Sequence, residues 1–229
     1  MAQTGVIIVA GGVGRRMGAS LPKQFMMLGN SPILVHTINR MREALPVAEI
    51  VVVLPEEYIP LWNNLSARFD VAQHRVVAGG KERFHSVAAG LAALSDEVKY
   101  IAVHDGVRPL VSKRLIIKLI LAAENHEAVI PAIAPADSCR VVEGEESKII
   151  DRNALRLVQT PQVFQAAILR QAYTQPFSPS FTDDASVVEQ AGGKVHLCEG
   201  ERTNIKITTP EDISFAEAII NCDDADIQL

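Results

Sequence analysis

Between the apolar run Val6-Ile7-Ile8-Val9 and Gln24, the chain reads Ala10-Gly11-Gly12-Val13-Gly14-Arg15-Arg16-Met17-Gly18, then Pro22-Lys23-Gln24. Glycines let a backbone reach positive φ and bring bare N–H groups close to a ligand. Arg and Lys beside such a turn add planar and mobile cations for oxyanions. Crowding Arg15, Arg16 and Lys23 on one turn is repulsive unless an anion is present, so the chemistry on offer is the holding of a polyphosphate. The loop departs from two common phosphate loops. A P-loop needs G-x-x-x-x-G-K-[ST], but here the lysine follows Pro22 and Gln24 stands in place of the hydroxyl. A dinucleotide fingerprint needs G-x-G-x-x-G, and counting from Gly12 and Gly14 its third glycine position is Met17. A glycine turn that only reverses the chain is the plain alternative.

Four further clusters carry polar chemistry. Gly79-Gly80-Lys81-Glu82-Arg83 feeds a helix containing Ser86, a turn suited to contacts with a base or phosphate; an ordinary strand–helix loop would read the same. His104-Asp105-Gly106-Val107-Arg108-Pro109 follows an apolar run, and its carboxylate can ligate Mg²⁺ while the guanidinium grips a second phosphate. An Asp–Arg pair that merely ties down a loop is the alternative there. Thr182-Asp183-Asp184-Ala185-Ser186 opens a helix, with Thr182 or Asp183 as N-cap. Asn204-Ile205-Lys206-Ile207-Thr208 reads as a strand whose Lys206 faces away from its two isoleucines, ahead of a helix start at Thr209-Pro210.

Such groups need elements to hold them. Apolar strands are expected at Val6–Val9, Ile50–Leu54, Arg75–Val77, Tyr100–Val103 and Ala128–Ile133. Helical spacing runs over Pro32–Ala44, Glu56–Phe69, Ser86–Leu94 and Lys113–Asn125. Continuous apolar strands alternating with amphipathic helices give an α/β fold of doubly wound, Rossmann-like type, with a mostly parallel sheet and ligands beyond the strands' carboxyl ends. The alternation breaks after Pro135. Asp137–Arg140 leads into Val141-Val142, then the acidic turn Glu143-Gly144-Glu145-Glu146, then Lys148–Ile150, two short β-prone stretches flanking a turn. A hairpin this small is marginal alone, so residues 136–158 are expected to form a projecting dimerisation arm on one domain spanning 1–229.

The 229 residues carry 48% hydrophobic side chains and a net charge of −5, ample for a core and without a global pull toward nucleic acid or anionic membrane. Cys139, Cys198 and Cys222 are scattered and form no C-x-x-C, so neither a disulfide framework nor a zinc site is indicated. The first apolar run is too short for a signal sequence. No stretch approaches the ~18 apolar residues of a membrane helix. A cytoplasmic enzyme is expected.

In this order the clusters resemble the 2-C-methyl-D-erythritol 4-phosphate cytidylyltransferase family. The resemblance takes in the glycine loop with Arg16 and Lys23, Gly79-Gly80 with Glu82-Arg83 and Ser86, and His104-Asp105 with Arg108-Pro109. It continues through Asp151-Arg152-Asn153, Gln159-Thr160-Pro161-Gln162, Thr182-Asp183 and Asn204-Ile205-Lys206. It implies that Ala10, Gly11, Gly12, Gly14, Arg16 and Lys23 hold the triphosphate of CTP, with Arg16 and Lys23 catalytic. It also implies that Gly80, Lys81 and Ser86 take the base and ribose, and that Asp105 binds Mg²⁺ or another divalent cation. The sugar-alcohol phosphate would be gripped by Arg108, Thr160, Thr182 and Lys206, joined by Ser138 and Arg152 from the partner's arm in a homodimer. Lys81 stands where aspartate is common, Ser138 where threonine is usual, and Gly106-Val107 where Ala-Ala is usual. A ribitol 5-phosphate cytidylyltransferase would share most of this pattern. A nicotinamide-binding oxidoreductase and a non-catalytic nucleotide sensor are the readings from other classes.

Overall fold

The computed structural model describes residues 3–12 and 21–226, with 222–226 as backbone alone. Gly14 and Arg16 of the glycine loop lie outside the described residues. The chain begins with β1 (Thr4–Val9), then a small ladder of β2 (Met27–Leu28) with β3 (Ser31–Pro32), α1 (Ile33–Ala44) and β4 (Glu49–Leu54). It continues through α2 (Ile59–Ser66), β5 (Arg75–Ala78), α3 (Arg83–Ala93), β6 (Tyr100–Asp105), α4 (Lys113–Ala122) and β7 (Ala128–Ile133). The hairpin of β8 (Cys139–Glu143) and β9 (Glu146–Ile150) follows. The chain ends with β10 (Leu157–Val158), β11 (Gln162–Gln165), α5 (Ala166–Ala172), α6 (Asp184–Gln190), β12 (Val195–Glu199) and α7 (Pro210–Asp226).

The main sheet is mostly parallel, as the strand–helix alternation predicts. β1 pairs in parallel with β4 and β6, β4 with β5, and β7 with β12. β11 runs antiparallel between β6 and β7, and β10 pairs antiparallel with the end of β7. The alternation of side chains sorts the core into two layers. Val6 and Ile8 of β1, with Val52 and Leu54 of β4, pack with Leu34, Ile38 and Leu119 of α1 and α4. Ile7, Val51 and Val53 point the other way, against Val87 and Leu91 of α3. A Cβ at Gly90 would sit 2.6 Å from Ile7 Cγ2, so glycine there brings α3 onto the sheet.

Several expectations are corrected. The helix expected over Glu56–Phe69 is a 3₁₀ turn at Glu56–Tyr58 followed by α2, which carries a proline in its first turn. Asn204–Thr208 is not a sheet strand. Its Ile207 N–H bonds the carbonyl of Val107, a loop residue, at 2.9 Å, and a loop offers no ladder to continue. Strands β10 to β12 were not expected: Leu157-Val158 and the Gln-flanked Gln162–Gln165 are too short to stand out, and Val195–Glu199 mixes polar and apolar residues with no continuous apolar run. The hairpin forms, turning at Gly144 with φ +64°. The expected arm of 136–158 nevertheless overruns, since Leu157 and Val158 belong to the main sheet.

Candidate active site

Three loops at the carboxyl ends of the strands are each tied by a backbone bond to the end of a neighbouring strand. Ala10 N–H donates to Val53 O at 2.9 Å, Gly106 N–H to Val9 O at 2.9 Å, and Gly79 N–H to Leu54 O at 2.7 Å. A Cβ on Gly106 would stand 2.8 Å from Ala10 Cβ, so the two loops touch only because that residue is glycine. Gln24 is buried, and its amide donates to Ala10 O at 2.7 Å, pinning the start of the glycine loop. The Ser86 hydroxyl accepts from Gly80 N at 3.3 Å and donates to Glu82 O at 3.2 Å, fastening the next loop to α3. Between these loops opens a cavity of about 300 Å³. Ala10, Gly11, Gly12, Lys23, Gly80, Lys81 and Ser86, all singled out from the sequence, line it.

A second cavity of about 290 Å³ adjoins it, lined by Arg108, Thr160 and Thr182 with Gln159 and Gln162. Asp105, Arg83 and Lys206 line both cavities. Asp105 Oδ2 pairs with Lys206 Nζ at 2.9 Å and Arg108 Nε at 3.2 Å. Burial alone would raise this carboxyl's pKa. Lys206, Arg83 and Arg108 together outweigh it and hold Asp105 well below the usual carboxylate range. Arg108 also donates to Asn204 O at 2.8 Å, so the guanidinium ties down its loop and lines the second cavity at once.

His104 organises the floor. It is fully buried, and burial lowers its pKa to about 4. Its Nε2 lies 3.1 Å from Arg108 O and its Nδ1 3.0 Å from Thr160 Oγ1. A carbonyl only accepts, so Nε2 carries the proton and Nδ1 accepts from the threonine hydroxyl. Thr160 Oγ1 in turn accepts from Asp105 N–H at 3.0 Å. Asp183 caps α6, accepting from Ser186 N–H at 2.9 Å, which places Thr182 at the rim.

Ser138 and Arg152 are not brought to either cavity within one chain. Both are exposed on or beside the arm, where the Arg152 guanidinium donates to Ala136 O. Sequence reasoning missed the partnership of Arg83 with Asp184 and Tyr173, and the role of Gln162 as a bridge to α6. One signal was present. Asp184 occupies a core position of a helix otherwise buried through Ala185, Val187 and Val188, and a buried charge demands a partner. Among the described residues no group of three or more His, Cys, Asp or Glu is placed to hold a metal, and no helix is long and apolar enough to cross a membrane.

Residues 4–222 match the model of the 2-C-methyl-D-erythritol 4-phosphate cytidylyltransferase (IspD) family. A protein of that name from Bacteroides thetaiotaomicron is 47% identical over 216 residues, covering 94% of this chain and 98% of its own. One from Bacillus velezensis is 38% identical over 223 residues, covering 95% and 96%. The crystal structure of the Thermus thermophilus enzyme of that name superposes with a TM-score of 0.78 at 34% identity, over 96% of this chain and 98% of that one. The 4-diphosphocytidyl-2C-methyl-D-erythritol synthase of Anaerococcus prevotii gives 0.81 at 29% identity, over 96% of both chains. With the loop order, the paired cavities and these matches in agreement, the chain belongs to the 2-C-methyl-D-erythritol 4-phosphate cytidylyltransferase family.

Proposed function

We propose that this protein joins CTP and 2-C-methyl-D-erythritol 4-phosphate, giving 4-diphosphocytidyl-2-C-methyl-D-erythritol and pyrophosphate. The observation that carries the reading is the pair of cavities sharing Asp105 and Lys206 as a common wall. The nucleotide takes the glycine-lined cavity, with its base side toward Gly80, Lys81 and Ser86. The sugar phosphate takes the cavity of Arg108, Thr160, Thr182 and Lys206. An oxygen of its phosphate bonds to the α-phosphorus of CTP, and the bond to the β-phosphate oxygen breaks with pyrophosphate carrying off the electron pair. The nucleophile is already an anion at neutral pH, so a general base is unnecessary. His104, with both nitrogens engaged, is suited to holding the floor rather than moving a proton. The barrier is anion–anion repulsion and charge developing on the phosphoryl oxygens, which positioning and fixed cations lower. Lys23, with Arg16, supplies those cations on the nucleotide side.

Asp105 fits a divalent cation. It stays ionised, and its Oδ2 is the oxygen taken by Lys206 and Arg108. Mg²⁺ characteristically binds through one or two carboxylates plus substrate phosphates. Bound there, it would supply charge neutralisation to the triphosphate. The arm completes the reading. Val142 and Ile149 are 70% and 76% exposed on a hairpin with no core of its own. A two-fold dimer that covers them would carry Ser138 and Arg152 to the partner's second cavity.

The test is pyrophosphate release with each of the four nucleoside triphosphates against methylerythritol phosphate and ribitol 5-phosphate. CTP with methylerythritol phosphate should exceed every other pair by at least tenfold. A preference for ribitol 5-phosphate, or release with no alcohol phosphate present, would overturn the assignment.

A further inference from the structure

Arg83 stands where the two cavities meet, yet its guanidinium is committed elsewhere. Nη1 and Nη2 donate to the two carboxylate oxygens of Asp184 at 2.8 and 2.5 Å. Asp184 is completely buried and also accepts from the Tyr173 hydroxyl at 2.6 Å. Gln162 Oε1 accepts from the backbone N–H groups of Asp184 and Ala185 at 3.1 and 3.0 Å, while its amide donates to Asp183 at 2.8 Å. Arg83 is also the first residue of α3, directly after the Gly79–Glu82 loop. Asp184 likewise opens α6, directly after Asp183 and Thr182. The two helices therefore begin at the two cavities, and the starts are bolted together by one fork-to-fork ion pair. Such a pair fixes direction as well as distance, because both groups are planar and bidentate.

We infer that Arg83 is a positioning residue of the transfer reaction, whose clamp on Asp184 sets the nucleotide loop against the Thr182 loop and so fixes the separation of the two bound substrates. This rests on the reading of the two cavities as CTP and sugar-phosphate sites. A residue of this kind acts on the reaction between bound partners rather than on either binding step. Misplacement by about 1 Å costs on the order of a hundredfold in rate.

The experiment is a double-mutant cycle with Arg83→Lys, Asp184→Asn and the pair together, with kcat and both KM values measured well below each variant's melting temperature. Each single change should lower kcat 10- to 100-fold with both KM values within about threefold. The double change should lower it no further, since the two residues act as a unit. Tyr173→Phe, which leaves no charge unpaired, should give a milder loss of the same kind should a single charge variant fold poorly. Losses that multiply in the double variant, a kcat for Asp184→Asn within twofold of wild type, or a loss carried by KM for CTP would each overturn the inference. Amide exchange without substrates gives a readout independent of the assigned reaction: in Arg83→Lys, segments 79–83 and 182–186 should both exchange faster. Acceleration of only one of them refutes the clamp. Absence of CTP-dependent turnover in the wild type would refute the assigned function instead.

Discussion

At the scale of single residues, the site is one carboxylate held among cations. Asp105 is the partner of Lys206 and Arg108 and lies in the field of Arg83. Removing Lys206 as Lys206→Met should raise KM for the sugar phosphate at least tenfold and leave the nucleotide KM nearly unchanged, read from initial rates with each substrate varied in turn. Lys23→Ala should lower kcat by two or more powers of ten while KM for CTP moves little, if the ammonium meets charge that appears only in the transition state. A near-normal kcat would return the loop to a chain reversal. Excess EDTA should abolish pyrophosphate release, and added Mg²⁺ should restore it. Lys81→Ala should be mild. Lys23, Lys81 and Asp105 stood out in the sequence because each lies in a short local run of glycines, cations or carboxylate, whereas Lys206 was picked out from a strand alternation that the structure does not have. Arg83 and Asp184 were not legible as a pair. They lie 101 positions apart, and a local pattern states that a charge exists without stating what meets it.

At the scale of elements, the apolar periods of β1, β4, β6, β7, α1 and α4 gave the parallel layers. The strands show as unbroken apolar runs and the helices as runs long enough to show a period of 3.6. The antiparallel β11 and the extended 204–208 segment escaped because pairing with a distant edge, or with a loop, overrides local propensity. That segment is anchored instead by α7. Asp212 Oδ2 accepts from Thr208 N at 2.7 Å, Thr208 Oγ1 at 3.0 Å and Thr209 N at 2.8 Å. Slight burial raises this carboxyl's pKa, but the backbone donors outweigh it and the net direction is down. A depressed carboxylate stabilises the fold above its unfolded pKa and loses that contribution as pH falls through the folded value. Asp212→Ala should therefore cost about 1 kcal/mol at pH 7, in line with lost helix caps. That is roughly 2–4 °C in melting temperature for a chain of this size. The deficit should close as pH falls below about 4. A deficit unchanged at pH 3 would mean that the side chain contributes by packing alone.

At the scale of the whole molecule, the proposed role of the arm makes the active site a property of two chains. In the proposed dimer a second copy would cover the arm's exposed Val142 and Ile149 and receive its Ser138 and Arg152, which line neither cavity of their own chain. Ile149→Lys should shift the protein toward monomer in sedimentation and lower activity with it. Mixing Arg152→Ala chains with Lys23→Ala chains should recover activity beyond either alone, because each mixed dimer holds one site with both groups intact. No recovery after proven subunit exchange would sink the shared site. The placement of β11 has a further consequence, one for how the protein is made. β6 ends at Asp105, and the strand that lies beside it, β11, begins only at Gln162. On the ribosome the facing edges of β6 and β7 must wait, unpaired, while the whole arm is synthesised. Loop closure over such a span is slow compared with local pairing. The half built from β1, β4, β5 and β6 should become protected first in pulse-labelled exchange. Chains stopped before residue 162 should be the ones that aggregate or recruit chaperones.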